Sequence, residues 1–248
     1  MEGGRVIKLV IEYDGTGYCG WQIQPNGRTV QGEVEAAILR VTGEAVRVAG
    51  AGRTDSGVHA LGQVASLITS SRLPAPRLHA ALNAVLPRDI AVLAAEDAAP
   101  SFHARFSATG RRYRYTILNR PVRPAFARWT ALHVPRPLDE AAMREGARRL
   151  VGTHDFSSFA CNPGEEEDPI VTVREASVER RGEIVVIELE AVSFLYKMVR
   201  TIAGTLVAVG KGTIPPAEIS AILAARDRKA AFPTAPAWGL ALVGVSYP

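Results

Sequence analysis

The loop from Arg53 to Ala60 concentrates residue types that carry covalent chemistry. It reads Arg-Thr-Asp-Ser-Gly-Val-His-Ala, and the apolar runs 46–51 and 62–69 on either side of it are typical of strands. A turn that only reverses the chain needs neither an acid nor an imidazole. Asp55 is therefore the first candidate for a reactive group.

Several known loop motifs fail on spacing. Gly50-Ala51-Gly52 begins like a dinucleotide-binding turn, but the third glycine of that motif would fall on Asp55. A phosphate-binding loop is excluded because Val58-His59 follows Gly57, where lysine and a hydroxyl residue are required. Ser56 lacks the flanking glycines of a serine hydrolase elbow.

Asp55-Ser56-Gly57 does match the triplet of aspartic proteases, but that chemistry requires two carboxylates sharing a proton, and the sequence holds no second triplet. The five histidines are scattered without metal-binding spacing, so we expect no metal. What remains is a single aspartate that acts as a nucleophile, with an arginine partner favouring its charged form. The alternative, in which Asp55 caps a turn or pairs structurally with Arg53, stays open from the loop alone.

The composition favours a globular protein with a polyanionic partner. The 248 residues are 47% hydrophobic with a net charge of +4, and the 29 basic residues include only four lysines. Arginine presents a planar fork that suits phosphate, although codon bias or a thermophilic source would give the same excess. The start of the chain lacks a signal-peptide pattern, and the apolar run 202–210 is too short to span a bilayer. With two cysteines and no disulfide framework, we expect a cytoplasmic protein that contacts no membrane.

Two segments interleave basic residues with aromatic rings. They are Phe102-His103-Ala104-Arg105-Phe106 and Arg111-Arg112-Tyr113-Arg114-Tyr115. In a strand, the alternation places Arg111, Tyr113 and Tyr115 on one face and Arg112 and Arg114 on the other. Rings that stack on unpaired bases, together with arginines that hold phosphates, are typical of single-stranded RNA binders. An edge strand with protective charges is the alternative.

The apolar segment 194–209 predicts a helix that carries one conspicuous charge. Tyr196 and Arg200 would lie four residues apart on one face. An arginine in an apolar helix needs a buried acid as its partner. We take Asp55 as the hypothetical partner of Arg200.

The order of elements predicts an α+β fold. The first half reads β-α-β-β-α-β, and the second half repeats this order after one extra strand. The expected elements of the first half are strands 6–13, 45–51, 62–69 and 90–96, a helix 29–41 capped by Thr29, and a helix 76–86. Those of the second half are strand 109–119, strand 127–134 pairing back to it, helix 139–151 capped by Asp139, strands 171–180 and 184–192, helices 194–209 and 216–225, and strand 240–247.

We therefore expect two ferredoxin-like (RRM-like) halves, 1–105 and 106–248, whose antiparallel sheets sit side by side with a cleft between them. The first would carry the aspartate loop and the second the tyrosine and arginine. The acidic loop 161–169 is expected to face away from nucleic acid.

The ordered set of motifs resembles the tRNA pseudouridine synthase A family. The matching segments, given as they stand in this chain, are Gly20-Trp21-Gln22, Thr29-Val30-Gln31, Gly52 to Ala60 with Gln63-Val64, Phe102 to Ala108, Arg112-Tyr113-Arg114-Tyr115, His154 to Phe159 and Phe194 to Arg200. Each motif is modest alone, but the ordered set is highly specific. The resemblance implies isomerisation of uridine to pseudouridine at positions 38, 39 and 40 of the tRNA anticodon arm, by a homodimer without cofactor or metal.

The resemblance also implies roles for individual residues. Asp55 would be the nucleophile, Tyr113 would stack on the target base, and Arg200 would pair with Asp55. Arg53 would assist base flipping. The tRNA contacts would come from Phe102, His103, Arg105, Phe106, Arg112, Arg114 and Lys197.

Two residues depart from the family pattern: Lys197 stands where many relatives have histidine, and Ser56 where alanine is frequent. A different class of function also fits the arginines and rings, namely a non-catalytic RNA-binding protein or chaperone. Replacing Asp55 by asparagine separates the two, since only an enzyme would lose its activity.

Overall fold

The computed structural model describes residues 4–161 and 168–248. Most of the acidic loop expected at 161–169 lies outside the described residues. The chain forms two compact units, one of residues 1–109 with 242–248 and one of residues 110–241. The mixed α+β class is confirmed. The assignment of 1–105 and 106–248 as domains, with ferredoxin-like halves and a cleft, stays a prediction.

The first unit begins with four strands and two helices in the expected order. They are β1 (Arg5–Tyr13), α1 (Val30–Thr42), β2 (Ala49–Gly50), β3 (His59–Thr69), α2 (Ala75–Val85) and β4 (Ile90–Ala98). β1 lies between β4 and β3 and is antiparallel to both, with Leu9 opposite Ala65 on one side and Ala95 on the other. α2 packs against β4, and α1 lies beside α2.

The alternation in β1 and the helical stripe of α1 explain the core of this unit. Ile7, Leu9 and Ile11 are fully buried, as alternation along a half-covered sheet requires. Thr29 caps α1 as predicted, because its hydroxyl oxygen accepts a hydrogen bond from the Gly32 amide. On the covered face of α1, Val34, Ala37 and Ile38 are buried and Val41 is half-buried.

The prediction of a strand over 45–51 is wrong in extent, since only Ala49 and Gly50 pair with β3. The side chain of Glu35 accounts for the difference. Its carboxylate accepts the Val48 amide at 3.0 Å, so this amide bonds to a side chain rather than to a strand.

The described residues of the second unit hold five strands and three α-helices. They are β5 (Gly110–Asn119), β6 (Leu132–Val134), α3 (Glu140–Arg148), β7 (Gly152–Asp155), β8 (Ile170–Arg181), β9 (Ile184–Ala191), α4 (Met198–Gly210) and α5 (Glu218–Ala225). Within this unit the strand order is β5-β9-β8-β7, and these pairs are antiparallel. α3 packs against β8 and α4.

The expected hairpin between 109–119 and 127–134 is wrong. Residues Ala127–Trp129 form a 3-10 turn. Of the residues 127–134, β6 alone pairs with β5, and this pairing is parallel rather than antiparallel. Parallel pairing requires a crossover, and the intervening residues 120–131 provide it. β7 was not predicted, because Gly-Thr-His-Asp lacks the apolar alternation of a strand.

The start of α4 also differs from the sequence prediction. The helix begins at Met198, because Lys197 before it adopts a left-handed conformation (φ 60°, ψ 9°) that an α-helix cannot contain. Residues 194–197 are therefore a loop. Tyr196 lies outside the helix, and the prediction that it shares a helical face with Arg200 is wrong.

The last strand, β10 (Leu240–Ser246), brings residues 242–248 into the first unit. It lies beside β3, and the Thr109 amide donates to the Ser246 carbonyl at 2.8 Å. The Tyr247 hydroxyl donates to the Ala104 carbonyl at 2.7 Å. Within 4–161 and 168–248, no helix is both long and apolar enough to cross a membrane.

Candidate active site

Asp55 lies on a tight turn between β2 and β3 in the first unit. The Val58 amide donates to the Asp55 carbonyl at 3.1 Å, and Gly57 takes the positive φ (78°) that lets the chain reverse. The Ser56 hydroxyl and the Gly57 amide both donate to the Tyr18 carbonyl, at 3.1 and 3.4 Å. The turn is thereby tied to the loop that follows β1.

The residue before Asp55 is held by a buried hydrogen bond. The Thr54 and Tyr13 hydroxyls lie 2.7 Å apart, and both side chains are buried. The Trp21 amide donates to the Thr54 carbonyl at 3.0 Å, and the Trp21 ring lies beside that of Tyr13. Burial raises the pKa of Tyr13 to about 12, although the Thr54 hydrogen bond acts to lower it. The backbone next to Asp55 is thus fixed from the core side.

Gly20 permits the close approach of the two loops. Its φ is +92°, and a Cβ there would lie 2.5 Å from the Thr54 carbonyl oxygen. Any other residue would force the loop at 14–28 away from the Asp55 turn. Gly20 belongs to the Gly-Trp-Gln motif, which the sequence alone did not connect to the aspartate.

The side chains around the turn differ in exposure. Asp55 is half-buried, Arg53 is exposed and His59 is buried. The Gly15 amide donates to Nδ1 of His59 at 3.1 Å, and the same nitrogen lies 3.1 Å from Oδ1 of Asp14. Burial acts to raise the pKa of Asp14, but hydrogen bonds from Thr16 and the neighbouring His59 bring it below its usual value. Among the described residues, no cluster of three or more His, Cys, Asp or Glu side chains could hold a metal.

The basic-aromatic segment 102–106 folds back on itself. Nδ1 of His103 accepts the amides of Arg105 and Phe106, at 3.1 and 3.3 Å, and the His103 and Phe106 rings lie 4.4 Å apart. Phe106 is 77% exposed, with the Arg105 guanidinium 5.7 Å from its ring. An exposed ring beside a guanidinium is an arrangement that can stack on a nucleic-acid base.

A small apolar cluster places this segment on the same sheet as the Asp55 loop. Ala51, Val64 and Ala104 are buried together, and the Ala104 amide donates to Ser66 at 3.0 Å. The Gln63 side chain donates to the Gly52 carbonyl at 2.8 Å. The first unit therefore gathers Arg53, Asp55 and the 102–106 segment around β3.

Tyr113 lies on β5 in the second unit and is only 8% exposed. The Phe194 ring meets it edge to face, with centroids 5.1 Å apart and an interplanar angle of 87°. This contact fixes the plane of the tyrosine ring. Tyr115, two residues along, is buried and donates its hydroxyl to the Pro236 carbonyl at 2.9 Å. The predicted common face of Tyr113 and Tyr115 is thus the covered face of β5.

Arg112 and Arg114 lie on the other face and bond to glutamates of neighbouring strands. Arg112 donates to Glu190 at 2.6 Å and Glu175 at 2.9 Å, and Arg114 to Glu188 at 2.7 Å. The strand register explains this, because these arginines lie directly opposite Glu190 and Glu188. A phosphate bound here would compete with the glutamates.

Arg200 lies in the first turn of α4 and is half-buried. Its Nε donates to the Ala235 carbonyl at 2.9 Å, and the Ala235 amide donates back to the Arg200 carbonyl at 3.0 Å. The Lys197 ammonium lies 4.7 Å from the centre of the Tyr196 ring. The second unit thus supplies Tyr113 from β5, and Lys197 and Arg200 from the start of α4.

Sequence reasoning overlooked the residues that support these side chains. Tyr13 and Thr54 hold the Asp55 turn, and Phe194 orients Tyr113. The sequence pattern predicts that Phe194 begins a helix, whereas it lies in the loop before α4. No pattern identifies Ala235, because its contribution is a backbone carbonyl.

Comparison with known proteins assigns the chain to a family. The protein-family model described as tRNA pseudouridine synthase matches residues 9–107 and 147–248. The tRNA pseudouridine synthase A of Moorella thermoacetica is 49% identical over 243 residues, covering 97% of this chain and 99% of that protein. The protein of the same name from Acetivibrio thermocellus is 48% identical, covering 98% and 100%.

Among solved structures, an archaeal box H/ACA sRNP Nop10-Cbf5 complex matches 82% of this chain and 43% of that chain, with a TM-score of 0.39 and 14% identity. That likeness is too distant to carry an argument. The family model and the curated relatives span both units. The chain therefore belongs to the tRNA pseudouridine synthase family, which isomerises uridine in tRNA.

Proposed function

We propose that this chain converts uridine to pseudouridine at positions 38, 39 and 40 of the tRNA anticodon arm, with Asp55 as the nucleophile. The observation that carries the proposal is the placement of Asp55 on a turn whose backbone is held by Tyr18, Trp21 and Thr54. A reactive group needs such support, because small displacements from the productive geometry are costly.

The reaction balances without any added atom. The bond between N1 of uracil and C1′ of ribose breaks, and a bond between C5 and C1′ forms. The hydrogen on C5 leaves as a proton and N1 gains one, so no cofactor is required. The Asp55 carboxylate would bond either to the sugar carbon or to the uracil ring while the base turns.

The target base must first leave the helical stack, at a cost of a few kcal/mol. Stacking on Tyr113 would offset about 1–3 kcal/mol of that cost. The edge contact with Phe194 supports this role by fixing the tyrosine ring before the base arrives. We assign removal of the C5 proton to Tyr113, and assistance of base flipping to the exposed Arg53.

The remaining assignments complete the proposal. Arg200 would pair with Asp55 and keep it charged, in a cleft between two ferredoxin-like halves. Lys197, Arg112, Arg114 and the 102–106 segment would contact the tRNA. The enzyme would act as a cytoplasmic homodimer, with one tRNA touching both subunits.

The test measures pseudouridine formation in tRNA transcripts carrying tritium on C5 of uridine. Tritium released to water counts turnovers, and transcripts with uridine at only one of positions 38, 39 or 40 locate the product. Asp55→Asn should reduce release by on the order of a thousandfold or more, with tRNA affinity nearly unchanged. Asp97→Asn, which removes an exposed carboxylate bonded to Arg5, is the matched control and should keep full activity.

A non-catalytic RNA-binding protein is the second candidate, because exposed Phe106 beside Arg105 would serve binding equally well. It predicts tRNA binding without tritium release from the unsubstituted chain. Tritium release that persists in Asp55→Asn would instead support the isomerisation reaction but refute the role of Asp55 as its nucleophile.

A further inference from the structure

Residues 98–138 form the most one-sided charged stretch of the chain. They contain eight arginines and neither aspartate nor glutamate. On β5, glutamates of neighbouring strands compensate Arg112 and Arg114. Beyond β5, Arg120 bonds to Glu183 at 3.0 Å. Two further arginines, Arg123 and Arg128, lie in the segment 120–130.

We call the segment 120–130 the arginine-aromatic loop. Eight of its eleven residues are exposed, and they include Val122, Phe126 and Trp129. Phe126 stands out, because its relative exposure is 101%, the highest of any large apolar side chain in the described residues. An apolar ring with no packing in the free chain points to a partner that covers it.

Two arginines accompany the exposed rings. Arg123 and Arg128 are exposed, and neither makes an ion pair in the part of the chain that the structure describes. The Arg128 guanidinium lies 6.0 Å from the centre of the Trp129 ring. Guanidinium groups and rings interleaved on one exposed segment provide phosphate contacts and stacking surfaces together.

The loop is anchored at both ends. At its start, the Arg120 carbonyl lies 2.8 Å from Nε2 of His133, and the Arg120 side chain bonds to the Val122 carbonyl. At its end, Trp129 meets Trp238 edge to face, with ring centroids 6.1 Å apart. Anchoring lowers the entropy lost when a ligand orders the loop, so an exposed ring can contribute more of its contact energy.

We propose that the arginine-aromatic loop is a second tRNA-binding surface, on which an unpaired base stacks on Phe126 while Arg123 and Arg128 contact neighbouring phosphates. This inference rests on the proposed function for the identity of the RNA. A second copy of this chain could also cover the Phe126 ring. The charge of the arginine-aromatic loop favours RNA instead, because a segment rich in arginine and without aspartate or glutamate complements a polyanion.

The experiment measures the affinity of the full chain for a fluorescent tRNA transcript by anisotropy, between 50 and 200 mM KCl. Phe126→Ala should weaken binding roughly tenfold through lost stacking. The pair Arg123→Gln with Arg128→Gln should weaken it too, and should reduce the slope of log Kd against log salt by about 1.4 to 1.8, since two phosphate contacts are lost. Because none of these side chains packs in the core, the variants should unfold at the wild-type temperature.

Matched controls remove equally exposed groups elsewhere. Ile68→Ala deletes an apolar side chain that is 65% exposed, and Arg40→Gln with Arg148→Gln deletes two exposed charges on helices. Both controls should leave affinity and salt slope unchanged. Losses confined to the loop variants support the proposal.

Equal affinity and slope in the loop variants and the wild type would overturn it. Light scattering on the same samples tests the rival partner: a change in oligomeric state with unchanged tRNA affinity would assign the loop to protein contact and reject the RNA surface. Tritium release by the wild type, measured in parallel, judges the proposed function separately. If the chain binds tRNA through this loop but releases no tritium, the result refutes only the proposed function and leaves the tRNA-binding surface supported.

Discussion

The hydrogen bond between Tyr13 and Thr54 offers the sharpest test of how the Asp55 turn is held. Both side chains are buried, and their hydroxyl oxygens lie 2.7 Å apart. Tyr13→Phe leaves the Thr54 hydroxyl buried without this partner, which should lower the free energy of unfolding by about 1–3 kcal/mol. Thr54→Val should cost somewhat less, because the Tyr13 hydroxyl keeps its hydrogen bond with Gln63.

The double variant should be much less destabilised than the sum of the two singles. Two apolar groups of similar shape replace a bonded pair, so no polar group is left unsatisfied at this contact. The expected coupling energy is about 1–2 kcal/mol, measured by urea unfolding of all four proteins. Strict additivity would show that the bond does not connect β1 to the turn, and would refute the reasoning.

The burial of the Tyr13 side chain also predicts a pH dependence. The pKa of Tyr13 rises from 10.0 in the unfolded chain to about 12 in the folded one, chiefly through burial. Folding therefore favours the neutral phenol. This preference contributes about 2–3 kcal/mol to the free energy of unfolding below pH 10, and the contribution is lost as the pH rises from 10 to about 12. The free energy of unfolding of Tyr13→Phe should fall less than that of the wild type between pH 10 and about 12. Parallel plots of this free energy against pH would contradict the raised pKa of Tyr13.

Pseudouridine formation gives the functional side of the prediction. Because Thr54 directly precedes Asp55, loosening the turn should lower kcat by about tenfold or more while leaving KM for tRNA nearly unchanged. An increase in KM alone would mean that the bond supports binding instead.

Four further changes test single features of the fold and the site. Gly20→Ala should destabilise the chain by more than about 1 kcal/mol, because its methyl group meets the Thr54 carbonyl; Gly43→Ala, also at positive φ but in open space, should cost less in urea unfolding. Asp139→Ala removes the N-cap of α3 and should lower stability by about 1 kcal/mol by the same measurement. Lys197→Gly should unfold at a higher temperature than Lys197→Ala, since φ is 60° at this position; the reverse order would contradict the left-handed conformation. Glu190→Gln should raise tRNA affinity several-fold in anisotropy titrations if Arg112 contacts phosphate, and unchanged affinity would remove that contact from the proposal.

Local signals in the sequence account for much of the fold. Thr29 and Asp139 were predicted to cap helices, and each accepts a backbone amide in the first turn. Alternation identified β1 and β5 to within a residue or two. These features depend on neighbours in the sequence, which is why a single chain reveals them.

The predictions that failed depended on information the sequence does not carry locally. Nothing about Lys197 signals a left-handed residue, since glycine is the usual occupant of that conformation. β6 pairs in parallel after a crossover, and its three residues fit either direction equally well. The carboxylate of Glu35 delays the start of β2 through a hydrogen bond to the Val48 amide that no periodicity indicates.

The candidate site shows the same division. Asp55, Tyr113 and Arg200 came from residue type, spacing and family resemblance, and their roles stay predictions to be tested. The groups that hold them became visible only in three dimensions. Tyr13 and Phe194 act through contacts across sheets and loops, where sequence separation gives no guide.

The membership of β10 in the first unit has a consequence for biosynthesis. Residues 1–109 leave the ribosome before the second unit is synthesised, yet the strand beside β3 and the Tyr247 hydroxyl that binds Ala104 are translated only after it. The unit that carries the aspartate must therefore wait, with one side of β3 incomplete, until translation reaches residues 242–248. Chaperones that protect nascent chains would meet this exposed strand throughout the synthesis of the second unit.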